Sequence, residues 1–259
     1  MADEGELLSG TEVRTALVVI DGVGVRGWQY VEIEGRARVE GCIDLGAVAE
    51  VEEQTEALRA NPLQAKGEVE SFGTAIKAIR FRWKDKIVPF TIDSHLPNRE
   101  RVTKAIEHWH QKTPMRFVER KPEHRDFVTF RPGGGCSSSV GRQGGQQFVN
   151  LGPECTTGNC IHEIGHTVGL WHEQSRIDRD LFIRINFQNI ISGMEHNFLQ
   201  HVHDGIDLGH YDYGSIMHYP ATAFSKNGQP TIIPVGTHAI GQRQGLSAGD
   251  IAAVRMIYP

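Results

Sequence analysis

The chain has 259 residues, of which 39% are hydrophobic and 23% charged, with a formal net charge of -5. This is an ordinary globular balance with room for one large domain or two small ones, and its mild acidity offers no electrostatic footprint for nucleic acid or an anionic membrane. No apolar run approaches the length needed to cross a bilayer, so a soluble protein without nucleic-acid or membrane partners is expected.

In chain order, the first ten residues, M-A-D-E-G-E-L-L-S-G, are acidic where a signal peptide is basic and then apolar. Thr15–Ile20 reads as a short apolar strand, and Tyr30–Gly35 alternates as a half-exposed strand does. Ala47–Leu58, rich in Ala and Glu, reads as a short helix. Arg59–Gly73 is polar and carries Pro62, Gly67 and Gly73, the marks of a connector and a place for proteolytic processing. It divides residues 1–74 from residues 75–259. Beyond it, Arg80–Ile92 reads as two strands broken by Lys84-Asp85-Lys86. Asn98–Lys112 sets Val102, Ala105, Ile106 and Trp109 on one helical face, suited to backing a sheet, with His108 and His110 beside it in structural roles. Phe127–Phe130 and Gln147–Leu151 read as further strands. Gly133–Gly135 and Gly141–Gly145 lack phosphate-loop spacing and read as turns.

His162 to Gln174 then reads H-E-I-G-H-T-V-G-L-W-H-E-Q. On a helix, His162 and His166 project from one face a turn apart, so both rings can grip one metal ion. Gly169 can take a positive φ, end the helix and turn the chain so that His172 supplies a third nitrogen. Three neutral imidazoles leave a tetrahedral zinc one open position for water. Glu163 is placed to reach that water rather than the metal, as the general base of a hydrolysis at a polarised carbonyl. The pattern also predicts a tight turn bearing a methionine beneath the metal, and Ser215-Ile216-Met217-His218-Tyr219 fits it.

With the motif continuing as H-E-Q-S-R-I-D-R-D from His172 to Asp180 and then S-I-M-H-Y, the chain resembles the astacin family of metzincin zinc endopeptidases from about residue 75 to its end. The resemblance implies an α+β, two-lobed protease domain: a twisted mixed sheet with a backing helix, an active-site helix above the cleft, an irregular C-terminal lobe with a terminal helix, and a small N-terminal prosegment. It assigns His162, His166 and His172 as zinc ligands, Glu163 as base and Met217 as the floor of the site. Tyr219 becomes a further ligand at rest that swings to hydrogen-bond the developing negative charge. Glu173 is expected to be buried and linked through water to a new amino terminus, and Arg176, Asp178, Arg179 and Asp180 to form a structural charge network. Gln147, Phe148, Val149, Asn150 and Leu151 match the upper rim of the cleft, where a sheet edge holds extended substrate by backbone hydrogen bonds. Pro230–Pro234 and Gly245–Pro259 match the closing strand and C-terminal helix, with Ser247 as N-cap.

Cys136 and Cys155 match a family disulfide, which implies an oxidising compartment and a secreted or otherwise exported protein. Its leader then lies outside these residues, or export leaves no such mark. The family's other disulfide is absent, because Pro114 stands at its first position. Cys160 is turned about 200° from His162 on a helix; a buried thiol and a Cys155–Cys160 bridge both remain open. R-V-E-G-C-I-D-L-G around Cys42 resembles the prosegment motif in which Gly-Asp precedes an apolar residue and the aspartate occupies the open zinc position. Here cysteine stands in its place, and a thiolate binds zinc well at about 2.3 Å. The expectation is a zinc endopeptidase acting on proteins or peptides, held latent by its own prosegment as intramolecular inhibitor through Cys42, with Asp44 the alternative blocker. The alternatives are a zinc-binding module without chemistry, against which Glu163 argues, and a metzincin confined to one partner protein. No heptad pattern argues for assembly, so a monomer is expected.

Overall fold

The alternating apolar segments near the start of the chain become an antiparallel meander. In the computed structural model, which describes residues 7–20, 24–60, 75 and 79–259, strands β1 (Val13–Ile20), β2 (Gly24–Ile33), β3 (Arg36–Val39) and β4 (Ile43–Ala47) pair in succession. Helix α1 (Val48–Ala60) packs back on them. Ala16, Tyr30, Ala37, Ile43, Val48 and Val51 form their shared core, which also takes in Val140 and Trp171 from later in the chain. The N-terminal unit therefore buries apolar surface against the C-terminal part of the chain, which ties the two halves by the hydrophobic effect. Most of the connector read at Arg59–Gly73 lies outside the described residues.

Strands β5 (Ile87–Ile92), β6 (Arg116–Glu119), β7 (Phe127–Pro132), β8 (Ser137–Ser138) and β9 (Gln146–Leu151) build the second half of the same sheet. The order is β1-β2-β3-β4-β8-β9-β7-β5-β6. β5, β6, β7 and β9 run parallel, whereas β8 is antiparallel to β9, so this half is the expected mixed sheet. The N-terminal meander joins it through one parallel pairing, Ile43 with Ser138.

Two expectations need correction. Arg80–Ile92 gives one strand, not two: Ile79–Phe81 and Lys84–Lys86 are short 3-10 turns, and Asp85 sits at φ 55, which breaks any extended run before β5. Gln147–Leu151 is indeed a strand but not the cleft rim. β8 covers its outer side by pairing at Val149 and Asn150, so Ser137 and Ser138 present the edge that β4 engages.

Helix α2 (Glu100–Lys112) buries Val102, Ala105, Ile106 and Trp109, the face the sequence marked. His108 and His110 serve the backbone: their Nε2 atoms accept from Leu246 N at 3.1 Å and Phe117 N at 2.8 Å. α3 (Thr157–Val168) lies against α2, and their shared core contains Trp109, Phe130, Val149, Ile161, Ile164 and Val168. The rest of the chain is mostly irregular, with β10 (Ile183–Ile185) paired to β11 (Ile232–Pro234) and α4 (Ala248–Ile257) near its end.

Side chains, not ladders, hold this lower lobe. Arg176 donates from Nε and Nη2 to the two carboxylate oxygens of Asp178, each at 2.8 Å, and also to Leu208 O and Gly209 O. Arg179 pairs with Asp180 at 3.1 Å. Ser247 and Asp250 form a reciprocal capping box on α4. The same buried Asp250 accepts from Ser215 Oγ at 2.6 Å and Ile216 N at 2.9 Å, tying the terminal helix to the methionine turn.

Candidate zinc active site

α3 is buried on every side, so its position is set by packing around its whole circumference. Thr156 caps its start in a box with Asn159. Three aromatic donors fix its carbonyls: Trp109 Nε1 to Ile161 O at 3.1 Å, Trp83 Nε1 to Thr167 O at 2.8 Å and Tyr258 OH to Val168 O at 2.9 Å. At its end Gly169 takes φ 108, and Leu170 N donates to Gly165 O at 2.9 Å, so the chain reverses through a left-handed cap. That reversal carries His172 back beside His162 and His166, with ring centroids 5.3 Å and 4.6 Å away.

The outer nitrogen of each ring is committed. His162 Nδ1 lies 2.8 Å from Ile216 O, His166 Nδ1 2.8 Å from Leu170 O and His172 Nδ1 2.5 Å from Glu40 Oε2. Carbonyl and carboxylate oxygens accept, so Nδ1 carries the proton on each ring and the Nε2 lone pairs point inward, as metal ligands require. Burial, followed by neighbouring positive charge, holds His162 and His166 neutral, well below the usual histidine range.

The fourth group at the convergence is Cys42. Its Sγ lies 3.6, 3.3 and 3.3 Å from the Nε2 atoms of His162, His166 and His172. Tetrahedral zinc with bonds of about 2.3 Å to sulfur and about 2.0–2.1 Å to nitrogen sets sulfur about 3.5 Å from each nitrogen. The observed spacing fits that geometry, and all four donor residues are buried. Asp44, the alternative blocker, is engaged elsewhere: Oδ2 lies 2.7 Å from Arg36 Nε and 2.8 Å from Arg38 Nη1, and Oδ1 accepts from Gly46 N.

Glu163 is fully buried, and so is Arg38 of β3, whose guanidinium burial holds below its usual range although Asp44 lies 2.8 Å from it. Met217 lies under α3, where a side-chain carbon on Gly165 would sit 2.5 Å from its Sδ. Tyr219 packs on His172 with ring centroids 4.6 Å apart, and its hydroxyl donates to Glu40 O at 2.7 Å. Glu173 is buried behind the site; it accepts from Asp212 N at 2.8 Å, and burial pushes its carboxyl up to about 8 despite nearby Arg176. Cys136 and Cys155 form the expected disulfide, with Cα atoms 5.9 Å apart. Cys160 is a buried thiol outside any disulfide, pushed up to about 12 by burial, which closes the Cys155–Cys160 alternative.

Sequence reasoning passed over a polar cluster beside the ligands. Besides His172, Glu40 accepts at Oε1 from Ser175 Oγ at 2.8 Å and from His201 Nε2 at 2.9 Å. His201 also meets Asp204 through Nδ1 at 3.0 Å and stacks on Trp171 at 3.9 Å. Glu40 lies two residues before Cys42, so the resemblance around Gly41 was a usable signal for it. His201 carries no local motif.

A family model described as astacin, a peptidase family, matches residues 75–259. The chain is 43% identical over 196 residues to the zinc metalloproteinase nas-13 of Caenorhabditis elegans, covering 72% of this chain and 44% of that protein. With nas-15 of the same organism it shares 37% identity over 255 residues, 96% of this chain and 44% of the relative, a match that reaches into the N-terminal unit. It spans less than half the length of these two relatives. Among solved structures it is similar to high choriolytic enzyme 1, a hatching enzyme zinc-protease from Oryzias latipes, with a TM-score of 0.66, 35% identity, and 71% of this chain and 98% of that chain covered.

Proposed function

Since this chain belongs to the astacin family of zinc metalloendopeptidases, we propose that it hydrolyses peptide bonds within protein substrates, and that residues 1–74 are a prosegment that keeps it latent. The carrying observation is the convergence of three imidazole Nε2 atoms and Cys42 Sγ, mutually within 4.8 Å, beside a buried glutamate. His162, His166 and His172 would hold zinc, which when bound supplies Lewis acidity and lowers the pKa of a coordinated water to about 7.

In the processed enzyme Glu163 takes the proton of the attacking water and passes it to the departing amine. Tyr219, released from Glu40 O, directs its hydroxyl at the charge developing on the scissile carbonyl oxygen. Met217 keeps the floor beneath α3 closed to water.

In the intact chain two alternating residues address this machinery. Glu40 takes the Tyr219 hydroxyl on its carbonyl and His172 on its carboxylate, and the Cys42 sulfur would take the fourth position on a zinc held by the three histidines. The Cys136–Cys155 disulfide supports an exported location, where such bonds persist.

The test is cleavage of an unfolded protein by the processed chain with and without chelator, alongside Glu163→Ala. Chelation and the substitution should each stop cleavage, the latter with zinc still bound. Zinc binding with cleavage indifferent to Glu163 would leave a binding module instead.

A further inference from the structure

The catalytic half orients two of the three ligand imidazoles with its own carbonyl groups, and the N-terminal unit reaches the third. Nδ1 of His162 and Nδ1 of His166 each lie 2.8 Å from a carbonyl oxygen, of Ile216 and of Leu170. Nδ1 of His172 lies 2.5 Å from Oε2 of Glu40, a carboxylate brought in by the hairpin that carries Cys42. That carboxylate is fixed from its other side. Oε1 accepts from Ser175 Oγ at 2.8 Å and from His201 Nε2 at 2.9 Å, which leaves Oε2 aimed at the imidazole. Glu40 is 4% exposed, so water does little to screen it. A carboxylate in this position draws the Nδ1 proton towards itself and leaves more electron density on Nε2, so His172 becomes a stronger metal donor than a neutral carbonyl partner would make it. Blocking the site calls for none of this, since Cys42 Sγ alone reaches the fourth position, 3.3–3.6 Å from the three Nε2 atoms. Glu40 acts on the side of a ligand turned away from the metal, where it occludes no coordination position.

We infer that the N-terminal unit has a second function as a metal-loading element: by placing Glu40 on His172 and Cys42 at the fourth position it raises the zinc affinity of the site, so that the ion is acquired and retained before processing and held less tightly afterwards. The inference rests on the latent state proposed above and gives its prosegment a task besides inhibition. Loss of a partner of this kind costs roughly tenfold to a hundredfold in metal affinity, and the factor multiplies whatever the sulfur contributes. Coupling between two binding events is reciprocal. Whatever factor the N-terminal unit adds to zinc affinity, zinc adds to the retention of the unit, so the ion fastens the segment that loads it.

The experiment uses the full chain carrying Glu163→Ala, so that no peptide bond is cut while metal is measured. Zinc affinity is read by competition with a chelating dye, and cobalt in place of zinc reports the sulfur through its thiolate-to-metal absorption band. Adding Glu40→Gln should weaken zinc binding by about tenfold or more while the cobalt form keeps the band. In the chain nicked in its connector, the N-terminal unit should dissociate on dilution far more readily without zinc than with it, and Glu40→Gln should narrow that ratio by the same factor that it loses in zinc affinity. Unchanged zinc affinity in Glu40→Gln overturns the inference. So does a weakened site that has also lost the cobalt band, because Glu40 would then serve by seating Cys42 and not through His172. Retention of the nicked unit that is indifferent to zinc overturns it as well. Turnover enters none of these readouts: if the processed chain with Glu163 in place cleaves no protein, the endopeptidase reading falls, and the affinities still decide the loading function.

Discussion

Replacing Cys42 by Ala should awaken the intact chain, to an extent set by the sulfur's share of the metal site and by the contacts that remain without it. Cys42 Sγ is one of four donors around the metal position. Structural four-ligand zinc sites carry about 10–16 kcal/mol; divided evenly, one ligand accounts for roughly 3 kcal/mol, or about two decades in occupancy of the open position at ~1.4 kcal/mol per decade. Peptidase activity of uncleaved Cys42→Ala should therefore rise up to about a hundredfold over the parent. It should stay below that of the processed enzyme, because Glu40 still ties His172, Ser175 and His201, and Ser138 N still donates to Cys42 O at 2.9 Å. Cys42→Ala combined with Glu40→Gln should rise further. The assay is hydrolysis of a quenched fluorescent peptide, with electrophoresis at its end to establish that the chain is intact. If intact Cys42→Ala is as silent as the parent, sulfur ligation is not what keeps the chain latent.

Asp250→Ala removes the acceptor for Ser215 Oγ, Ile216 N and the half-buried Ser247 N; stranding the buried Ser215 and Ile216 donors should cost about 3 kcal/mol and lower the calorimetric melting midpoint by about 6–12 °C, and an unchanged midpoint would show that the tie is dispensable. His201, raised to about 10 chiefly because Asp204 and Glu40 outweigh its burial, lies above its unfolded value of about 6.5. Its contribution is thus complete below pH 6.5 and lost as pH rises towards 10, so denaturant midpoints of the intact chain should decline across that window with a component missing in His201→Gln. Replacing Cys136 and Cys155 together by Ala opens a loop closed across a sequence separation of 19 residues; stability should fall by about 3 kcal/mol, read as a lower denaturant midpoint with a slope no smaller than the parent's.

Local geometry decided which features were legible in the sequence. His162, His166 and Gly169 interact within one helix and its cap, and α2 showed its buried face through helical spacing, so both could be read without tertiary knowledge. The break at Lys84-Asp85-Lys86 was legible, but the strand expected before it was not formed, because Ile79–Phe81 closes a 3-10 turn in which Arg82 N donates to Ile79 O. The cleft rim was misplaced for another reason. β9, with Phe148, Val149 and Leu151, is long enough to look like the important strand, whereas β8 is two residues of serine that exist as a strand only through pairing with β9 and β4. The Glu40 cluster was invisible for the same kind of reason: Ser175 and His201 are joined across 135 and 161 residues of chain to one carboxylate.

On the latent state proposed above, the shape of the hairpin accounts for how such a segment would survive against a protease site. Val39 pairs with Ile43, so Glu40, Gly41 and Cys42 form the tip of a hairpin, closed by Cys42 N donating to Glu40 O at 2.8 Å. Glu40 at φ 46 and Gly41 at φ 66 turn the chain back on itself. A side-chain carbon on Gly41 would come 2.6 Å from Phe224 Cζ, so glycine is required by contact as well as by conformation. A substrate bond must be presented in an extended stretch, whereas the bonds on either side of Gly41 belong to a reverse turn, and the chain meets β8 just beyond it, where Ser138 N donates to Cys42 O at 2.9 Å and Ile43 pairs with Ser138. Side chains can then reach the metal position and the Ser175–His201 pair while the backbone is held out of the conformation that hydrolysis needs. Relaxing the hairpin tip, rather than removing either side chain, is the change that would turn the proposed inhibitor into a substrate.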